Sequence, residues 1–225
     1  GQYGPLTRDG RPMIIGNNPS IMPGADDTWS IYDMPWANAC NTPFRLYKNW
    51  THEGGISTPF IIRWPAQIKK SGIVHSPTYI TDIMPTCIEI AGAKYPTEFN
   101  GHPVTPLEGE SFLATLQGRE HSREKPIVWE RQDCRAVRMG DWKLVAERGQ
   151  GWELYNLSDD RTELNNLVAT ETKHLEDMQN TWEEWANRCG VVAWPFPEDQ
   201  KRRRYQSTGK TTLLAYPQPS SFQTS

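Results

Sequence analysis

The stretch from Pro126 to Leu157 most constrains the fold. It holds four short segments, PIVWE, CRAVRMG, WKLVAER and WELYNL, separated by Gly or Asp and alternating apolar with polar residues. A period of two places the apolar side chains of a strand on one face. Strands this close in sequence pair as antiparallel neighbours, because a parallel crossover needs a dozen or more residues. The spacing therefore predicts an antiparallel sheet, with Gly140-Asp141 as a hairpin turn between the second and third strands. The period then changes. In ETKHLEDMQNTWEEWANRCG, Leu175, Met178, Trp182 and Trp185 recur three or four apart, the stripe of an amphipathic helix, and Gly190 closes it. Such a stripe must be buried, and the sheet just before it is the surface on which to bury it.

Upstream, the pattern is looser. Residues 1–43 are rich in Gly, Pro, Asn and Asp and read as a long irregular excursion. PFIIRW, from Pro59 to Trp64, reads as a short strand bounded by prolines. The stretch Val74–Ala91 contains a helix, with Ile80, Ile83, Met84, Cys87, Ile88 and Ala91 at helical spacing and Gly92 as its stop; Pro85 places a kink or the helix start nearby. Residues 93–125 are polar and turn-rich and mark a candidate domain boundary. Residues 194–225 are rich in Pro, Ser and Thr and show no clear element. A chain of 225 residues suits one large domain or two small ones and can bury a core without disulfides. Its ten tryptophans serve that core first and a ring-lined groove second.

Bulk properties exclude several classes. The net charge is −3, so no global basic signature for nucleic acid exists. The one basic run, Lys201-Arg202-Arg203-Arg204, reads as a solvated tail segment. Mean hydropathy is −0.70 and no run of about 18 apolar residues occurs, so nothing in the sequence spans a membrane. No signal peptide and no initiating Met are read, and Gly1 reads as the start of a trimmed or processed chain. Cys40, Cys87, Cys134 and Cys189 form no CxxC pair; one disulfide is open to them, with no pairing assignable. Asn49-Trp50-Thr51 and Asn156-Leu157-Ser158 are glycosylation sequons, the first beside Lys48, where a glycan would block access.

Some apparent motifs fail. Gly209-Lys210-Thr211 lacks the earlier glycine of a phosphate loop, since position 204 is Arg. His52-Glu53 opens no zinc-protease motif, because position 56 is Ile. Asp26-Asp27 and Asp159-Asp160 could hold a hard cation, but such pairs serve turns and caps more often. The run LYKNWTHEGG is different. Lys48 stands on a loop ahead of Gly54-Gly55, whose missing side chains allow close backbone approach, and a lysine ammonium is a compact charge suited to a tetrahedral oxyanion. The bland local reading is a surface pair between Lys48 and Glu53.

NTPFRLYKNWTHEGGISTPFIIRWP (residues 41–65) resembles a segment of the type I sulfatases, a family of the alkaline phosphatase superfamily. Three further stretches resemble the same family in the same order: YITDIMPTCIEIAG (79–92), CRAVRMGDWKLV (134–145) and WELYNLSDDRTELNNLV (152–168). Together the likeness covers roughly residues 30–190. The resemblance implies an α/β fold: residues 1–105 as the C-terminal end of an alkaline-phosphatase-like α/β domain, and residues 106–225 as a small α+β subdomain with an antiparallel sheet, a packed helix and a tail. It implies hydrolysis of aryl or carbohydrate sulfate esters, with calcium and a formylglycine nucleophile in the complete enzyme. It assigns Lys48 as the catalytic lysine that contacts the sulfate. His52 and Arg45, within a few residues of Lys48, are the candidates for touching the substrate's organic part, with loop packing or a salt link to Glu53 as the bland reading of each. No metal ligand is assigned here, because the family's Asp-Asn metal motif and its nucleophile motif have no counterpart. Cys134-Arg135-Ala136-Val137-Arg138 fits Cys-x-Ala-x-Arg, but it falls in the strand pair, where a structural cysteine is expected. Arg131-Gln132-Asp133 departs from the sequence of near relatives and is a candidate for setting substrate preference. The implied partner is a sulfated small molecule or glycan, with no nucleic acid and with a homo-oligomer left open; the implied location is periplasmic or secreted. By itself the chain is expected to be inactive. Two rival readings are a phosphodiester or phosphonate monoester hydrolase of the same superfamily and a non-catalytic scaffold.

Overall fold

A computed structural model of the chain describes residues 6–16, 18–30, 33–119 and 122–195. The basic run at 201–204 and the Gly209-Lys210-Thr211 stretch lie outside the described residues.

The N-terminal stretch is less irregular than its composition suggests. β1 (Ile14–Ile15) pairs in parallel with β2 (Thr28–Trp29), and α1 spans Met34–Asn41. α1 is a correction to the sequence reading. Its start signals are local, an N-cap Asp33 and a proline in the first turn, but eight residues carry no strong apolar stripe, and none of them is buried. Asp26 and Asp27 face Arg11 at 2.7 and 3.7 Å. Asp160 caps a turn, accepting the amides of Leu164 and Asn165 at 2.8 Å each.

PFIIRW is the second correction: no strand forms over Pro59–Trp64, and Phe60 and Ile61 are exposed. A strand needs a neighbour for its amides and carbonyls, and none of the described residues pairs with this segment. The helix within 74–91 does form, as a 3-10 turn (Ile80–Asp82) running into α3 (Ile83–Ile90), with Gly92 left-handed just beyond. Pro85 lies in the first turn of α3, where its missing N–H costs nothing. Asp82 is 1% exposed and acts as a hub. It accepts the amides of Tyr79 and Glu110 and a guanidinium N–H of Arg123 at 2.5 Å, tying α3 to residues 110–123. Two small elements precede that join or follow it, a hairpin of β3 (Glu98–Phe99) and β4 (His102–Pro103), and α4 (Leu113–Leu116).

The alternating segments form the expected sheet: β5 (Ile127–Arg131), β6 (Cys134–Met139), β7 (Trp142–Ala146) and β8 (Glu153–Asn156), antiparallel and in sequence order. Gly140-Asp141 is the β6–β7 turn. Gln132 and Asp133, both at positive φ, make the β5–β6 turn. α5 (Thr172–Cys189) packs on one face of the sheet and ends at a left-handed Gly190. There Met178 meets Val128, Val137, Leu144 and Leu154, with Trp152, Trp182 and Trp185 around them. The opposite face presents Trp129, Ala136, Val145 and Tyr155, and on it lies the Lys48 loop. Cys134 is buried in β6, and all four cysteines are free. Among the described residues, no helix is long and apolar enough to cross a membrane.

Candidate active-site loop

Residues 45–56 fold into a loop closed at its base, where the Gly54 amide donates to the Arg45 carbonyl at 2.9 Å. α2 (Glu53–Ile56) ends the loop. The two glycines are required by contact. A Cβ on Gly54 would stand 2.1 Å from the Leu46 carbonyl oxygen, and one on Gly55 2.1 Å from that of Trp50. At the tip, the Trp50 amide donates to the Tyr47 carbonyl at 3.1 Å, with Asn49 at φ 91°. Lys48 sits in this turn, exposed, and makes no ion pair or side-chain hydrogen bond among the described residues.

The local pairing of Lys48 with Glu53 does not form. Glu53 is 2% exposed and lies 2.9 Å from Lys143 Nζ. Lys143 is fully buried in β7 and also meets Glu163 at 2.7 Å. Glu163, itself buried, accepts the Glu53 amide at 2.8 Å. Burial pushes the Glu163 carboxyl above its ordinary range, against the pull of Lys143. Arg161 approaches Glu53 at 3.8 Å from the solvent side.

Arg45 and His52, expected near the substrate, both turn toward Glu153 on β8. Arg45 Nη1 donates to Glu153 at 3.0 Å, to the Tyr155 hydroxyl at 3.1 Å and to the Glu163 carbonyl at 3.3 Å. His52 has no exposure, and its Nε2 lies 3.3 Å from the same Glu153 oxygen. Tyr155 donates to that oxygen at 2.5 Å. These donors hold the Glu153 carboxyl below its ordinary range in spite of burial. Desolvation brings His52 down to about 4, with Glu153 pulling the other way, so its neutral ring carries the proton on Nε2, facing the carboxylate. Nδ1 is then a buried acceptor without a partner. Thr51 completes the seam, donating to the Arg135 carbonyl at 3.1 Å.

Lys143, Glu153, Tyr155 and Glu163 were not singled out from sequence. The sequence held one partial signal for Lys143: it shares a face of β7 with Val145, so that face carries an apolar side chain as well as the lysine. Arg131 ends β5, and the turn that follows is held by Arg148, whose Nε donates to the Gln132 carbonyl at 2.7 Å.

Among the described residues no group of three or more His, Cys, Asp or Glu comes together to hold a metal ion. Cys134, the one match to a formylglycine motif, is 1% exposed within β6.

A helix-backed sheet whose other face clamps a lysine-bearing loop defines a small unit that leaves Lys48 exposed and buries His52, Glu53, Lys143 and Glu163 beneath the loop. The chain belongs to the sulfatase family described as N-sulphoglucosamine sulphohydrolase, C-terminal, whose model matches residues 44–188. It is 33% identical over 171 residues to an uncharacterized sulfatase of Schizosaccharomyces pombe, a match covering 73% of this chain and 31% of that protein. It is 25% identical over 176 residues to human N-acetylgalactosamine-6-sulfatase, again covering 73% of this chain and 31% of the relative. The crystal structure of Ps i-CgsB in complex with k-i-k-neocarrahexaose shares the fold, with a TM-score of 0.54 at 24% identity, over 76% of this chain and 38% of that one. The chain therefore spans about a third of the length of these relatives, and the likeness to the C-terminal portion of an α/β type I sulfatase holds.

Proposed function

We propose that this chain is part of an enzyme that hydrolyses sulfate esters to an alcohol and inorganic sulfate, with Lys48 as a cation that meets the sulfuryl group. One contrast carries the reading. Arg45, His52 and Glu53 on this loop are all tied into the sheet, while Lys48 alone among its charged side chains is exposed and unpaired among the described residues. An ammonium beside the sulfuryl oxygens stabilises charge that grows there as the ester bond breaks, and that is where a cation lowers a barrier most.

A sulfated sugar is the favoured substrate class: the matching family's description names an N-sulfated sugar, and the human relative's name a sugar 6-sulfate ester; an aryl sulfate is the alternative. Calcium and formylglycine are part of the resemblance, and the role of Lys48 is derived without them. A periplasmic or secreted location rests on the resemblance alone. Residues 1–105 as the end of the larger domain and 106–225 as the small subdomain remain the proposed division, joined at Asp82 and Arg123. Self-association is supported by the exposed apolar side chains of Trp36, Ile61 and Ile80 and is read by light scattering.

The test compares sulfate release by the complete protein from 4-nitrophenyl sulfate and from N-acetylgalactosamine 6-sulfate, with bis(4-nitrophenyl) phosphate as the phosphodiester control. Lys48→Ala is expected to lower kcat/KM about 100-fold or more on the ester that turns over, with the melting temperature unchanged. Full activity in that variant overturns the role of Lys48, and preference for the phosphodiester moves the enzyme to the phosphodiester class.

A further inference from the structure

We propose that the small sheet aims Lys48: Glu153 on β8 and Lys143 on β7 are positioning residues that act on the reaction through the loop they clamp. This rests on the reading of Lys48 as the sulfuryl-contacting cation. Lys48 is bracketed by anchors. Three residues before it, Arg45 reaches Glu153 and Tyr155; three to five residues after it, Thr51, His52 and Glu53 bond to Arg135, Glu153 and Lys143. Every one of these sheet partners lies 84 or more residues downstream, so the loop borrows its shape from a distant part of the chain. Leu46 at φ 64° and Asn49 at φ 91° hold backbone conformations that a free loop of such residues would leave.

The chemistry of the clamp also points to placement. Burying charge seldom adds net stability over well-packed apolar groups, but directional ion pairs and hydrogen bonds select one geometry. A single Glu153 oxygen collects Arg45, His52 and Tyr155, so both ends of the loop meet on one atom. Displacing that atom's charge moves both ends together, and an error of about an ångström in a charge contact is enough to cost a large factor in rate.

The test is a double-mutant cycle on kcat/KM in the complete protein, using whichever of the two sulfate esters it hydrolyses. Glu153→Gln is expected to lower kcat/KM about tenfold or more when Lys48 is present, but less than about twofold in the Lys48→Ala background. Lys143→Met is expected to follow the same non-additive pattern, with Lys143→Arg recovering part of the loss. Equal fold losses in both backgrounds overturn the proposal, because a general structural defect does not depend on Lys48; so does a Glu153→Gln enzyme of full activity. If Glu153→Gln and Lys143→Met fail to melt cooperatively, Thr51→Val, which removes one hydrogen bond at constant volume, takes their place in the cycle: a loss that depends on Lys48 supports the proposal, and equal losses or none overturn it. A Lys48→Ala enzyme with full activity, or no turnover of either ester by the unmutated protein, overturns the functional reading itself and is separately visible.

Discussion

His52 shows what burial does to a single residue. The ring is fully enclosed and its imidazole is held down to about 4, whereas the unfolded chain protonates near pH 6.5. Between those values the unfolded state binds a proton that the folded state refuses, so stability falls as pH drops through that window and is fully present above it. The depression corresponds to about 3 kcal/mol. Glu163 acts in the opposite sense, since a raised carboxyl contributes at low pH and loses that contribution as pH rises. Melting temperature measured from pH 7 to pH 4 is therefore expected to drop less in His52→Gln than in the unmutated protein, and parallel curves would sink the assignment. Gly54 supplies a steric counterpart. Its added Cβ would stand 2.1 and 2.4 Å from two backbone oxygens, which cannot rotate away as a side chain could. Gly54→Ala is expected to cost about 3 kcal/mol, read by denaturant unfolding, together with most of the activity as the loop shifts.

The elements differ in how openly the sequence declares them. β5 to β8 and α5 are legible because period and turn chemistry are local properties: Leu144 and Leu154 alternate with Lys143 and Tyr155, and Leu175, Met178 and Trp182 return every turn. α1 and Pro59–Trp64 fail in opposite directions. The first is short and unburied, so no stripe announces it; the second has a strand's composition but no partner strand among the described residues. The sheet's apolar centre is where element stability is concentrated. Leu144 and Leu154 are fully buried beneath α5 beside Met178, so Leu144→Ala is expected to cost about 3 kcal/mol, measured as a lowered midpoint at unchanged slope in urea. A loss under about 1 kcal/mol would show that α5 does not seal this core.

At the scale of the whole molecule, the chain carries a family signature over residues 44–188 but spans only 31% of the length of the Schizosaccharomyces pombe relative. Neither a metal cluster nor an accessible nucleophilic cysteine in the family motif is found among its described residues. Residues 1–225 alone are expected to release no sulfate from either ester, and measurable release would show that these residues hold a complete site. Sequence by itself determined the antiparallel meander, the helix that covers it and the placement of Lys48 before a Gly-Gly pair, because each follows from spacing within a few residues. Lys48 remains the candidate there, while Arg45 and His52 bond to Glu153. Only the tertiary structure decided which charges would be buried and with whom. Arg45 meets Glu153 across 108 residues and Lys143 meets Glu53 across 90. Local pattern cannot specify such pairs, since any lysine and any glutamate satisfy each other chemically; the register of β7 against β8 and the loop lying across them select the partners.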